Sequence, residues 1–209
     1  MEIQLISEFR AIAEFSERLG PAVSIFGSAR ASPATPSYQL AYDVAALLAA
    51  ARYSVLSGGG PGVMRAANAG ARSVGGHSVG INIALPFEPL DLSMQDTSLL
   101  FSEFFTRKLA LLHHSEAFVF LPGGVGTLDE AFELLTLMQA GKLDRRPVAL
   151  IDRSFWSGLL EWMRAQVLGR GLIGEEDFTQ LAAFDAPQDA VNHVTSGLHR
   201  RSTEFTESG

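Results

Sequence analysis

Ala117-Phe118-Val119-Phe120-Leu121-Pro122-Gly123-Gly124-Val125-Gly126-Thr127-Leu128-Asp129-Glu130 is the stretch that decides how this chain folds. Its first five residues form an uninterrupted apolar run of strand length, the pattern of a parallel strand covered on both faces. Gly123, Gly124 and Gly126 follow at once, and residues 128–139 then have the spacing of an amphipathic helix. A Gly-rich turn between strand and helix points free backbone N–H groups and a helix N-terminus at one place, which suits a phosphate. Glu130, one turn into that helix, is expected to face the same crevice.

Outward from this unit the same alternation recurs. Towards the N-terminus, residues 23–27 read as the first inner strand, preceded by a helical segment over 3–19. After the turn Ser32-Pro33-Ala34-Thr35-Pro36-Ser37 comes a helix over 38–51, with Leu40, Val44, Leu47 and Leu48 on one face. A second strand over 53–57 ends in Gly58-Gly59-Gly60-Pro61-Gly62 and is followed by a short helix over 63–71. Residues 78–83 read as a third strand, 86–99 as irregular, and 104–114 as a helix. Beyond the opening stretch, a strand over 147–151, a helix over 155–168, a short strand over 181–184 and a closing helix over 187–198 complete the reading. Residues 1–199 are thus expected to form one nucleotide-binding α/β domain with an N-terminal helix, and 200–209 a polar, disordered tail. The fold expected is a Rossmann-like, doubly wound parallel sheet with helices on both faces. In such sheets ligands sit beyond the carboxyl ends of the strands, where Gly27-Ser28, Gly58 to Gly62 and Gly123 to Thr127 all fall.

Composition narrows the classes. At 209 residues, with 47% hydrophobic and 19% charged residues, the chain has the profile of a single globular core. A formal net charge of −7 without a basic stripe argues against nucleic acid as a partner. The absence of cysteine excludes disulfides, thiolate metal ligands and a cysteine nucleophile. No apolar stretch is long enough to cross a bilayer, and Met1-Glu2-Ile3-Gln4 lacks the basic start of a signal peptide, so no membrane and a cytoplasmic location are expected.

The glycine loops do not match the commoner nucleotide motifs. Gly58 to Gly62 lacks G-x-G-x-x-G spacing, and no acidic residue closes the next strand to hold a ribose, so NAD is a poor fit. The Lys-Ser/Thr ending of a Walker loop is absent after Gly126, so a triphosphate fits poorly and a monophosphate fits better. Gly58, Gly59 and Gly60 either permit tight helix–strand packing or contact ligand. Thr127 either caps the helix or offers its hydroxyl and N–H to phosphate, and the two roles are compatible. Glu130 is the candidate for catalysis, and Glu133, three residues on, the structural companion. Arg107 and Lys108, near the start of a helix, oppose the local dipole, which points to a dedicated partner; one is expected in the site and the other at its edge. His113-His114 do not share a helix face and have no carboxylate at metal-ligand spacing, so no metal is assigned.

Taken together, Ser57-Gly58-Gly59-Gly60-Pro61-Gly62-Val63-Met64, Phe105-Thr106-Arg107-Lys108 and the PGGxGTxxE run from Pro122 to Glu130 resemble the Lonely Guy (LOG) family, cytokinin riboside 5′-monophosphate phosphoribohydrolases often labelled lysine decarboxylases. The likeness spans roughly residues 23–194. Leu137-Met138-Gln139-Ala140-Gly141-Lys142 and Phe155-Trp156-Ser157-Gly158-Leu159 are similar to its longer bacterial branch. The resemblance implies hydrolysis of the N-glycosidic bond of a nucleoside 5′-monophosphate, with AMP or N6-modified AMP as substrate. It implies Arg107 and Glu130 as catalytic residues. Gly27, Ser28, Gly58, Gly59, Gly60, Lys108, Gly123, Gly124, Gly126 and Thr127 are the expected substrate-binding positions. It also implies a homodimer or higher homo-oligomer with sites at the interface, and no cofactor; decarboxylation would need an electron sink such as pyridoxal phosphate, for which no motif is present. The chain departs from the longer branch in Phe87-Glu88-Pro89-Leu90-Asp91-Leu92-Ser93-Met94, where a Glu-Gln pair and an Asn-Pro-Tyr turn are usual, and at Arg65, where an acid is common. These departures bear on base preference. Two alternatives stay open: a non-catalytic nucleotide-binding or regulatory protein, and a nucleosidase acting on other nucleoside monophosphates.

Overall fold

The computed structural model describes residues 2–16, 19–86 and 90–207. The expected class is borne out. Seven parallel strands lie in the order β4-β3-β2-β1-β5-β6-β7, with helices on both faces. They are β1 (Ala22–Phe26), β2 (Ser54–Ser57), β3 (Ser78–Ile83), β4 (Thr97–Phe101), β5 (Ala117–Phe120), β6 (Val148–Ile151) and β7 (Leu181–Phe184). The helices are α1 (Glu2–Ser16), α2 (Pro36–Ala50), α3 (Val63–Ser73), α4 (Phe104–His114), α5 (Val125–Gln139), α6 (Arg153–Trp162), α7 (Glu175–Phe178) and α8 (Pro187–Glu207), with a π-helical turn (Met163–Leu168) continuing α6.

Strand alternation sorts the core into two halves. Val23, Ile25, Val55, Ala117 and Val119 face α2, α3 and α8, packing on Val44, Leu48, Ala66 and Val194. Phe26, Leu56, Ile81, Phe118 and Phe120 face the other way, towards Leu111 of α4, Leu134 of α5 and Trp156 of α6. Small and β-branched side chains therefore cover one face and aromatic rings the other. Phe26 and Phe120 stack at 4.8 Å between centroids.

Four boundaries differ from the sequence reading. β4 forms at the end of the stretch expected to be irregular. It pairs with β3 alone, and its Ser98 and Leu100 are exposed, so an edge strand of mixed polarity shows no continuous apolar run. α5 begins at Val125 rather than Leu128. The helix expected over 155–168 is α6 followed by the π-helical turn. The closing helix continues to Glu207 through most of the expected tail. Phe87, Glu88 and Pro89, among the departures noted above, lie outside the described residues.

Candidate active site

From β1 the sheet builds outward in one direction through β2, β3 and β4, and from β5 in the other through β6 and β7. The gap between the carboxyl ends of β1 and β5 is therefore the switch point at which open α/β sheets bind ligands. Backbone contacts lock the turns there together. Ser28 N donates to Pro122 O at 3.1 Å, and Val63 N donates to Ser28 O at 3.0 Å. Gly62 has φ of 66°, and a Cβ there would lie 2.3 Å from Ser28 O. A Cβ on Gly27 would lie 2.7 Å from Val63 Cγ1. Gly27 and Ser28 thus form the joint between the two glycine loops.

Beside this joint lies a cavity of about 510 Å³. Gly58, Gly59 and Gly60 form its floor, Met64, Arg65 and Asn68 of α3 one wall, and Phe104 and Arg107 of α4 another. Asn82 and Ile83 of β3 and Leu85, Leu90, Asp91 and Met94 from the β3–β4 connection close it. A mostly apolar concavity with a few fixed polar groups is the usual form of a small-molecule site. Arg65 and Asp91 form an ion pair at its rim, so the two departures from the family pattern meet here.

Arg107 is buried, with Nε donating to Ile81 O at 2.9 Å and Nη2 donating to Gly58 O at 3.0 Å. A Cβ on Gly58 would stand 1.9 Å from that Nη2, so the guanidinium needs glycine at position 58. Burial lowers the Arg107 pKa and the charge of Glu130 raises it; an arginine stays protonated throughout the working range. The loop carrying Gly58 is held by side chains that sequence reasoning passed over. Ser57 Oγ accepts from Gly59 N at 3.0 Å and donates to Asn68 Oδ1 at 2.6 Å, and Asn68 Nδ2 donates to Ser78 Oγ at 2.8 Å. Gln95 Nε2 donates to Gly59 O at 3.2 Å, and Asn82 Nδ2 donates to Gln95 Oε1 at 2.9 Å and Ser98 Oγ at 2.8 Å. The signal available in the sequence was an asparagine inside each of two otherwise buried elements, since such a group must be hydrogen-bonded.

On the neighbouring turn, Gly124 is the N-cap of α5, so Thr127 lies inside the first turn, buried, and of its two alternative roles capping does not apply. A Cβ on Gly123 would lie 2.2 Å from Thr127 Oγ1, whereas one on Gly124 or Gly126 would meet nothing within 4 Å. The last two glycines are exposed and open outward from the helix N-terminus. Glu130 is partly buried, and burial pushes its pKa up from 4.5 to about 7. Arg107 and Lys108 pull it down, while Asp129 and Glu133 push it up. Lys108 is held by Asp129 Oδ2 and Glu133 Oε2, each at 2.9 Å, and bridges α4 to α5 rather than lining the cavity. Burial works against its charge, but these two carboxylates outweigh it and raise its pKa.

The structure therefore brings Gly58, Gly59, Gly60 and Arg107 to the cavity and couples Arg107 to Glu130 by charge. It sets Gly123, Gly124, Gly126 and Thr127 beyond β5, across β1 from the cavity. His114 packs edge-on against Phe15, with ring centroids 5.0 Å apart. Among the described residues, no group of three or more His, Cys, Asp or Glu side chains could hold a metal ion.

These features define a Rossmann-like α/β protein with a cavity at the carboxyl ends of β2 and β3, beside the topological switch point. Residues 64–194 match the family described as "Possible lysine decarboxylase", and the chain belongs to this family, the LOG family. It is 32% identical over 156 residues to a cytokinin riboside 5′-monophosphate phosphoribohydrolase of Mycobacterium tuberculosis, covering 73% of this chain and 82% of that one. It is 31% identical over 170 residues to the protein of the same name from Mycobacterium marinum, covering 80% and 90%. Among solved structures, the molybdenum cofactor carrier protein of Chlamydomonas reinhardtii superposes with a TM-score of 0.64 at 21% identity, covering 86% of this chain and 98% of that one. That likeness is one of fold.

Proposed function

We propose that the protein hydrolyses the N-glycosidic bond of a nucleoside 5′-monophosphate, AMP or N6-modified AMP, to free base and ribose 5-phosphate. The observation that carries this reading is a cavity lined by the glycine loop and by Arg107, with a helix N-terminus that suits a monophosphate nearby and Glu130 within range of the Arg107 charge. Phosphate sits on the backbone N–H groups around Gly124 and Gly126, and the base occupies the chamber bounded by Gly58, Met64, Leu90 and Met94. Cleavage at the anomeric carbon passes through an oxocarbenium-like state. Ionised Glu130 stabilises that charge and orients the ribose hydroxyls or the attacking water, while Arg107 fixes the substrate and offsets negative charge. Water adds to the anomeric carbon as the C–N bond breaks, and the base leaves with the electron pair and a proton. No cofactor takes part. Exposed Phe105, Leu109 and Val125 beside the site support assembly as a homodimer or higher homo-oligomer, and the cytoplasm is the location proposed for it.

Incubation of the purified protein with a panel of nucleoside monophosphates, with free base detected by chromatography, tests this reading. Base release from AMP or N6-modified AMP is expected, and a Glu130→Gln variant is expected to lose it by at least ~100-fold while staying folded. Release from other monophosphates alone would make it a different nucleosidase. No release from any would leave a binding protein, and near-normal turnover by Glu130→Gln would remove Glu130 from catalysis.

A further inference from the structure

Glu8 is a buried carboxylate on α1, far from the cavity in sequence and absent from the chemistry above. Its Oε1 accepts from Ser102 N at 2.8 Å and from Ser102 Oγ at 2.6 Å, and its Oε2 accepts from Thr106 Oγ1. Ser102 stands just before α4, whose N-cap is Glu103, and that cap makes no side-chain hydrogen bond of its own. A carboxylate on another helix thus ties the residue preceding the N-cap of α4 to a hydroxyl in its first turn, at the helix end where negative charge is favoured. Thr106 is the residue before Arg107. At the far end of the same pair of helices, Phe15 of α1 meets His114 of α4. α1 thus lies along α4 in the same direction, clasped at both ends.

We propose that Glu8 is a positioning residue for Arg107: by holding Ser102 and Thr106 it fixes the axial setting of α4, and with it the reach of the guanidinium. Arg107 satisfies two carbonyls on different chain segments at once, Ile81 O within β3 and Gly58 O just past β2. A slip or rotation of α4 by a fraction of a turn breaks both bonds and moves the charge away from Glu130. Small displacements of this kind cost far more in rate than in folding, because reactivity depends on alignment to within about 1 Å.

The kinetic half of the test rests on the proposed activity; the spectroscopic half does not. Glu8→Ala and Glu8→Gln variants of the full chain are compared with the parent for base release from AMP and for the Arg107 Nε–H resonance by NMR. Glu8→Ala is expected to lower kcat by about tenfold or more with KM changed less than about threefold. Its Arg107 Nε–H is expected to exchange with water faster, as the bond to Ile81 O loosens. Glu8→Gln keeps an acceptor oxygen for Ser102 N–H and is expected to recover most of both. Should Glu8→Ala fail to fold, Thr106→Val removes one of the three bonds and is expected to shift both readouts the same way. An unaltered Nε–H resonance with kcat within twofold of the parent, in folded Glu8→Ala or in Thr106→Val, overturns the proposal. A parent protein that releases no base removes the proposed activity but leaves the resonance to decide the role of Glu8.

Discussion

Position 58 separates folding from activity. A Cβ there collides with the guanidinium of Arg107 and, at 2.7 Å, with Met64 Sδ, both side-chain atoms and neither of them backbone. Gly58→Ala is therefore expected to keep its melting temperature within a few degrees while base release falls by about 100-fold, through displacement of the guanidinium. Glu130 makes a second prediction at this scale. Its carboxyl titrates near 7 in the folded chain against 4.5 ordinarily, so between those values the folded state holds more protons than the unfolded one. Stability then falls as pH rises through that window, and the full penalty is present above about 7. Glu130→Gln is expected to match the parent at pH 4 and to exceed its stability by at most about 3 kcal/mol at pH 8, as read by denaturant melts. The same titration requires activity to rise with pH through about 7, since ionised Glu130 is the working form.

At the scale of elements, Lys108 joins α4 to α5 and so ties the helix of Arg107 to the helix of Glu130. Lys108→Met is expected to cost about 1 kcal/mol of stability, the upper range for a partly exposed pair. It also removes a positive charge that lowers the Glu130 pKa, so the acidic limb of the pH–rate profile is expected to move to higher pH; an unmoved limb with unchanged rate would show that Lys108 does not act on Glu130. Legibility also varied by element. The apolar runs of β1, β2, β5 and β6 were plain because both faces of a central parallel strand are covered. β4 was not, because an edge strand beginning Thr97-Ser98 carries the polarity of a loop. The start of α5 was misplaced because glycines open a helix here while reading locally as turn, and Thr127 became a helix residue instead of a cap. Gly58 to Gly60, and the expectation that one of Arg107 and Lys108 lies in the site and the other at its edge, were legible as residue types at strand and helix ends; Arg107 lines the cavity and Lys108 does not. The commitment of Lys108 to Asp129 and Glu133 was not, since that choice depends on where two helices sit side by side.

For the whole molecule, the outer faces of α4 and α5 leave Phe105, Leu109, Val125 and Phe132 exposed, Val125 at 84%. Phe132 and Trp162 line a common groove, so the apolar surface extends towards α6. Exposed large apolar side chains grouped on neighbouring helices suit a self-interface. A dimer is expected by sedimentation at micromolar concentration, and Phe105→Glu combined with Val125→Glu is expected to yield monomers of reduced activity. A parent chain that sediments as a monomer would make the patch something other than a self-interface. The sequence by itself determined the α/β class, the number of inner strands and the three glycine turns that end them, because burial on both faces and the geometry of tight turns are written in local residue types. Only the tertiary structure decided which polar groups meet around the cavity and its supporting helices. Glu8, Asn68, Asn82 and Gln95 make hydrogen bonds between elements distant in the chain, and the pKa of Glu130 follows from burial and from charges that folding alone brings near it.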